Sequence, residues 1–192
     1  MTRRIARFTP FLLIPALALA VSPSLAATRT IKRSSGDISV AIPDERAGSK
    51  RLVIKKRGKI KDVNVTVAAD HNEVKDLTFL LESPKGRFIH LSSGNGGSGS
   101  GYGSSNTDGC GSTMTFDDEA TDDVQDYEGV DHVFSGGYKP ESYFVNNPGQ
   151  GLAELDGTQM KGKWKLIVMD TEEIGGGVLQ CFKLRIRYNT PN

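Results

Sequence analysis

The sequence predicts an all-β fold, a sandwich or a barrel, and two observations support that prediction. Short segments alternate apolar and polar residues with a period of two, which is the period of a strand that buries one face. Glycine and proline turns separate these segments, and no segment sustains the period of a helix. Many short strands joined by such turns are typical of sandwiches and barrels.

The strand pattern is clearest in three parts of the chain. Alternate valines share one face of residues 61–69, and apolar side chains alternate with lysine and arginine in residues 182–188. The Ser-Pro-Lys-Gly sequence at residues 83–86 has the chemistry of a hairpin turn between two further segments. The predicted strands cover residues 37–42, 51–55, 61–69, 77–81, 88–91, 164–168 and 182–188.

The N-terminus has the pattern of a targeting segment. Three arginines precede an apolar run at residues 11–21, and Ser24-Leu25-Ala26 offers small residues at a cleavage site. We expect a signal peptide over residues 1–26 and export to the periplasm or the medium. An uncleaved anchor is disfavoured because the apolar run is too short to span a bilayer. A flexible lead-in at residues 27–37 and one folded domain at residues 38–190 should follow.

The charge balance limits the classes of partner. The chain holds 24 lysine and arginine residues against 23 aspartate and glutamate residues. Removal of residues 1–26 takes away Arg3, Arg4 and Arg7 and no acid, which leaves 21 basic against 23 acidic residues. Because phosphate binding needs a positive potential, this balance argues against nucleic acid as a partner.

Two cysteines, Cys110 and Cys181, remain after the signal peptide. In the oxidising compartment to which export leads, one disulfide is expected. Two free thiols or a catalytic cysteine are the alternatives. They are disfavoured because Cys181 lies in an apolar strand pattern, and Cys110 lies in a glycine loop with no histidine nearby.

No catalytic motif is recognisable in the chain. The three histidines, His71, His90 and His132, accompany no Gly-x-Ser-x-Gly elbow and no subtilisin-type segment. The glycines at positions 94, 96 and 99 fit the dinucleotide-binding pattern, but no helix follows them and no βαβ unit surrounds them. We therefore expect a chain that is not an enzyme.

Eight carboxylates crowd residues 117–131 with no lysine or arginine between them. Calcium takes several oxygen ligands, and clustered carboxylates supply them. We expect a calcium site that uses Asp117 and Asp118, with Asp76 and Asp170 as partners from strand ends and Glu119 as a further candidate. The alternative is a solvated acidic face paired with the basic residues 55–61.

An ordered series of short motifs runs from residue 76 to residue 179. Its most specific members are Phe116-Asp117-Asp118-Glu119-Ala120 and Gly162-Lys163-Trp164-x-Leu166. The other members are Asp76-Leu77, Ser83-Pro84-x-Gly86, Asn95-Gly96-Gly97-Ser98-Gly99, Tyr138-Lys139-Pro140-Glu141, Asp170 and Gly177-Val178-Leu179. Over about residues 38–188 the chain resembles the P domain, or homoB domain, that follows the catalytic domain in kexin- and furin-like proteases.

This resemblance implies a jelly-roll β-sandwich of the galactose-binding-like class. In proprotein convertases such a domain packs on a subtilisin-like catalytic domain, stabilises it and influences its calcium and pH dependence. Bacterial versions accompany secreted serine proteases and metalloproteases. Two positions depart from the family pattern, because Gly175 stands where an aspartate is common and Phe182 replaces a tryptophan. Residues 1–192 contain no segment like a protease catalytic domain, so we expect a free-standing accessory module.

Two functions of different classes follow from these observations. The chain is expected to dock on an exported protease, or on another extracytoplasmic protein, through a sheet face or the Gly/Ser-rich residues 92–112. Alternatively it binds a glycan or another ligand, as many jelly rolls do. That alternative needs exposed aromatic side chains, for which Tyr102, Tyr127, Tyr138 and Tyr143 are available. An autonomous peptidase is the least favoured reading.

Overall fold

The computed structural model describes residues 27–103, 109–126, 133–141, 143–144, 147–148 and 151–190. These residues form strands and three short 3-10 helices, Val74–Asp76, Val124–Asp126 and Gly151–Leu155. The strands are β1 Thr28–Ser34, β2 Val40–Ile42, β3 Ala47–Ile54, β4 Lys59–Asp70, β5 Leu77–Glu82, β6 Phe88–Ser93, β7 Gly101–Tyr102, β8 Met114–Phe116, β9 Asp122–Asp123, β10 Val133–Phe134, β11 Gly136–Lys139, β12 Tyr143–Phe144, β13 Asn147–Pro148, β14 Gly162–Asp170 and β15 Gly177–Asn189. The prediction of an all-β fold is confirmed. The predicted signal peptide, residues 1–26, lies outside the described residues.

Two sheets form a β-sandwich. The larger sheet has nine strands, and its longest path runs β1-β15-β4-β8-β11-β9, with β2, β7 and β10 joined beside it. The smaller sheet has four antiparallel strands in the order β3-β14-β5-β6. Within the described parts of the chain, no helix is long and apolar enough to cross a membrane.

Alternate residues of the long strands fill the space between the sheets. On β15 the even-numbered residues from Phe182 to Tyr188 are buried, and Arg185 and Arg187 between them are exposed. The first three of those buried residues lie opposite the alternate valines of β4. On β14 Trp164 and its alternate neighbours are fully buried in the same way. The alternation in the sequence therefore identified the core face of both strands.

The segment before residue 38 differs from the prediction. Thr28–Ser34 is strand β1, which pairs with β15 from Thr28 opposite Asn189 to Ser34 opposite Lys183. The expectation of a flexible lead-in at residues 27–37 was therefore wrong for this stretch. It was missed because an edge strand is held by backbone hydrogen bonds and carries no apolar period: Ile31 alone in β1 is partly buried against the core.

The described part of the glycine-rich segment is packed on the core. Gly96 has φ 95°, and a Cβ atom there would lie 2.0 Å from the Phe134 ring. Tyr102 is fully buried, and its ring stacks on Phe134 with the centroids 4.7 Å apart. Glycine is required at position 96 because only a residue without Cβ fits this approach and this backbone angle.

Candidate functional site

Three carboxylates converge where β4 passes beside β8. Asp62, Asp117 and Glu119 each place one carboxylate oxygen within 4.8 Å of the other two. β8 is antiparallel to β4, and the turn after it brings Glu119 back because the Glu119 N–H donates to Asp117 Oδ1 at 3.0 Å. We call these three residues the carboxylate triad. Its donors are all oxygens, the ligand type that calcium prefers.

The charges around the triad are only partly balanced. Arg185 Nη1 lies 3.6 Å and Arg187 Nε 3.8 Å from the Asp62 carboxylate, and both arginines extend half-exposed from β15. The hydrogen bond shared with Asp117 raises the pKa of Glu119 to about 7, with further contributions from burial and from the charge of Asp62. The triad is therefore crowded with negative charge near neutral pH.

We expect the stability of the metal-free protein to fall as the pH rises through the triad's titration. Unfolding returns Glu119 to its ordinary pKa of 4.5, so between about pH 4.5 and 7 the folded state holds the additional proton. A folded state that binds more protons loses stability as the pH rises. In chelator, Glu119→Gln should therefore flatten the dependence of the unfolding free energy on pH and stabilise the protein slightly at pH 8.

Chemical denaturation at several pH values between 5 and 8 measures this effect. The matched control is Asp126→Asn, which removes a charge from an exposed position of the same acidic segment. A wild-type stability that rises from pH 5 to pH 8, or a variant with the wild-type slope, would show that the triad does not titrate in this way.

Asp118 is not a member of the triad and supports the chain at residues 151–155. Its carboxylate accepts the backbone N–H groups of Leu152 (3.0 Å) and Ala153, at the start of the 3-10 helix. Burial raises the pKa of this carboxyl, and the two backbone hydrogen bonds oppose that increase. Both oxygens are therefore occupied by a capping interaction, and Asp118 serves the fold.

A second group of carboxylates surrounds an open cavity of about 770 Å³ at one end of the smaller sheet. The turn between β2 and β3, the residues just after β4 and the loop between β14 and β15 form its walls. The carboxylates that line it are Glu45, Glu73, Asp76, Glu172 and Glu173. We call this cavity the acidic pocket. Lys75 and Ile174 also line it, and Lys75 is paired with Glu73.

A fully buried pair of side chains holds the walls of the acidic pocket together. His71 Nε2 lies 2.9 Å from Asp170 Oδ2, and neither side chain is exposed. Because the carboxylate only accepts, Nε2 donates to it, and Nδ1 contacts the Glu73 backbone, 2.7 Å from its carbonyl oxygen and 3.1 Å from its nitrogen. The other Asp170 oxygen accepts the Glu172 N–H at 3.1 Å. Asp170 therefore joins the residues after β4 to the loop before β15.

Asp170→Asn should lower the free energy of unfolding by about 2 kcal/mol, the range for a hydrogen bond to a charged group. The amide keeps the shape of the carboxylate and removes its charge, so the His71 ring and the Glu172 N–H lose a charged acceptor. Urea unfolding measures the loss, and Glu173→Gln, an exposed neighbour, should change stability by less than about 0.5 kcal/mol. Equal stabilities of the two variants would contradict the role given to this pair.

The four aspartates that the sequence selected as calcium ligands do not meet at one site. Asp117 lies in the triad, Asp118 caps the helix at residues 151–155, and Asp76 and Asp170 belong to the acidic pocket and its support. Within the described ranges, the triad is the one group of three whose spacing suits an ion. Asp62 was missed because its partners come from strand pairing. Its position directly before the alternate valines of β4 did indicate that it lies on the polar face of the strand and outside the apolar core.

The structure also places the two cysteines and some of the tyrosines that the sequence suggested for ligand binding. Cys110 and Cys181 form a disulfide with their Cα atoms 5.0 Å apart, as predicted. Tyr102, expected to be exposed for ligand binding, is instead fully buried, because the glycine segment folds onto the core. Tyr138 is partly buried against the core, Tyr127 lies outside the described residues and the Tyr143 side chain is not among those described. Glycan binding stays an untested prediction.

Comparison with known proteins agrees with this fold. A structure of the complex of an Aeromonas sobria serine protease and a chaperone matches with a TM-score of 0.53 and 17% identity, over 90% of this chain and 29% of the matched chain. A structure of the Aeromonas sobria serine protease matches with a TM-score of 0.51 and 17% identity, over 88% and 28%. This chain thus spans less than a third of the chains it resembles. No curated protein sequence matches significantly.

A family model identifies the domain itself. The proprotein convertase P-domain model matches residues 60–186, which extend from β4 into β15 and include the carboxylate triad and the His71–Asp170 pair. The match covers well over half of the chain. Domains of this kind are non-catalytic accessory domains of proteases. The chain belongs to the proprotein convertase P-domain family.

Proposed function

We propose that this chain is exported and acts as a non-catalytic accessory domain that docks on a periplasmic or secreted serine protease and stabilises it. The observation that carries the proposal is the family match over residues 60–186, on a sandwich with its own core and disulfide. The signal pattern of residues 1–26 supports export. The likeness to parts of the Aeromonas sobria serine protease structures supports a protease as the partner.

Capture of a labelled protease tests this function. Residues 27–192 are immobilised through a C-terminal tag, and the exported fraction of the source organism is treated with a rhodamine fluorophosphonate, which reacts with the nucleophilic serine of serine hydrolases. We expect one labelled protease to be retained and to be identified by peptide sequencing. An immobilised β-sandwich of similar size from another family is the control. Retention of no labelled protease, in calcium or in chelator, would refute the proposal.

We further propose that the carboxylate triad binds calcium, with the remaining ligands supplied by water and backbone carbonyls. The support is the convergence of Asp62, Asp117 and Glu119 and the negative charge that the half-exposed arginines leave uncompensated. A bound divalent cation would remove the repulsion between the carboxylates and so stabilise the turn after β8. Of the ligands that the sequence suggested, Asp117 and the further candidate Glu119 belong to this proposed set.

Calcium should raise the thermal unfolding midpoint, and Asp117→Asn should abolish most of the increase. A ligand that binds only the folded state stabilises it by an amount that grows with the logarithm of its concentration, so calcium at about 100 times its Kd adds about 2.7 kcal/mol. The midpoint is measured in calcium and in chelator. Asp126→Asn, the matched exposed variant, should respond as the wild type does. An equal response of both variants would place any calcium elsewhere.

A further inference from the structure

The acidic pocket carries more negative charge than its own residues balance. Five carboxylates line it, and Lys75, the one basic residue among those that line it, is paired with Glu73. The residues come from three separate segments that the His71–Asp170 pair and the bond from the Glu45 N–H to the Glu172 carbonyl hold together. The excess negative charge therefore comes from segments that hydrogen bonds hold together around one cavity, and not from consecutive acidic residues in one loop.

Asp76 supplies a second and independent observation. The residue is 7% exposed and lines the cavity, and among the described residues its carboxylate feels the charge of Lys75 without a direct hydrogen bond or ion pair. Its backbone carbonyl accepts both the N–H and the hydroxyl of Thr171 at 3.0 Å, which fixes the residue at the wall of the cavity. Burial raises the pKa of this carboxyl. A buried carboxylate without a direct ion pair is costly, and a cation bound in the cavity would reduce that cost.

The spacing of the carboxylates suits an organic cation better than a metal ion. Among the described residues, the groups with one ligand atom each within 4.8 Å include the carboxylate triad but no set from this pocket. The cavity of about 770 Å³ falls in the size range of pockets that hold small molecules or side chains. Ile174 is 86% exposed at its edge and offers an apolar contact to the methylene stem of a long basic side chain.

We propose that the acidic pocket binds an arginine side chain of an extended peptide segment in a partner protein. The guanidinium would reach Asp76, with Glu172 and Glu173 at the rim and Ile174 against the stem. The planar guanidinium presents several donors at once, so it can engage carboxylates that are too far apart to chelate one ion. This inference rests on the pocket alone and does not require that the partner be a protease.

An NMR titration of the disulfide-intact chain, residues 27–192, tests the proposal. The probe is the capped peptide Gly-Ser-Arg-Gly-Ser, and the control peptide carries citrulline, which keeps the shape of arginine and lacks its charge. We expect the arginine peptide to shift the backbone amide signals of residues 73–76 and 171–174, and the citrulline peptide to leave them in place. Equal shifts with both peptides, or no shifts in these segments, would overturn the proposal.

Substitutions of carboxylates in the acidic pocket show which of them bind the arginine peptide. Asp76→Asn should weaken binding of the arginine peptide by about tenfold, as expected for the loss of a charge-assisted contact. If that variant unfolds, the rim variant Glu172→Gln with Glu173→Gln gives the same test at exposed positions, and it should weaken binding severalfold. Asp126→Asn should bind as the wild type does. Unchanged affinity in the folded pocket variants, or displacement of the peptide by equimolar calcium chloride, would overturn the assignment.

Discussion

Removal of the disulfide is expected to lower the free energy of unfolding by about 4 kcal/mol, because the bond closes a loop between residues 71 positions apart. In the chain-entropy treatment, such a loop restricts the unfolded chain by about that amount. The bond also holds its surroundings in place. The Cys110 N–H donates to Asp37 Oδ1 at 2.8 Å, and Lys183 Nζ donates to the Cys110 carbonyl at 3.0 Å.

The variant that tests this is Cys110→Ser with Cys181→Ala, because Cys181 is fully buried and serine there would add an unpaired hydroxyl. Urea unfolding gives the free energy, and the slope of the transition reports whether the unfolded chain has expanded. The reduced wild-type chain should lose a similar amount. A loss below about 1 kcal/mol in both would show that the bond contributes little to stability.

Trp164→Ala is expected to lower the free energy of unfolding by about 3–5 kcal/mol, the range for deletion of a large buried aromatic side chain. Trp164 lies in β14 opposite Leu52 of β3 and is fully buried between the two sheets. Its Nε1–H donates to the Met160 carbonyl at 2.9 Å, so alanine removes the packing and also leaves that acceptor without its partner.

Two comparisons isolate the two contributions at this position. Trp164→Phe keeps a ring and loses the donor, so its loss should fall between zero and the loss in the alanine variant. Lys163→Ala changes the exposed neighbour on the same strand and should cost less than about 0.5 kcal/mol. Denaturant unfolding measures all three. An alanine variant within 1 kcal/mol of the wild type would mean that the core repacks around the cavity.

The strands were predictable where one face is buried, and they were not where backbone pairing alone forms them. The alternation in β4, β14 and β15 assigns the apolar core side chains correctly, because each strand of a two-sheet sandwich turns one face towards the other sheet. β1 escaped prediction for the opposite reason. Its residues are nearly all exposed, and its register on β15 is set by backbone hydrogen bonds that no side-chain pattern records.

The sequence indicated that carboxylates form the candidate site, but it did not indicate which carboxylates lie close together. The acidic run drew attention to Asp117 and Glu119, but their neighbour Asp62 lies more than fifty residues earlier in the chain and joins them through the pairing of β4 with β8. Asp118 belongs to the same run, yet its oxygens are taken by the backbone of residues 152 and 153. Asp170 similarly has a buried histidine as its partner. A single sequence does not reveal such pairings, because they depend on which strands become neighbours.

The measurement that tests the accessory role most directly is the rate at which the exported serine protease loses activity on heating. The exported fraction is taken from a strain of the source organism that lacks this gene, and casein-degrading activity that phenylmethylsulfonyl fluoride inhibits is followed at elevated temperature. A domain that binds only the folded protease should slow inactivation in proportion to its occupancy. We predict that purified residues 27–192 lengthen the half-life of this activity several-fold and saturably. A half-life that stays the same at every concentration of added chain would contradict the proposed function.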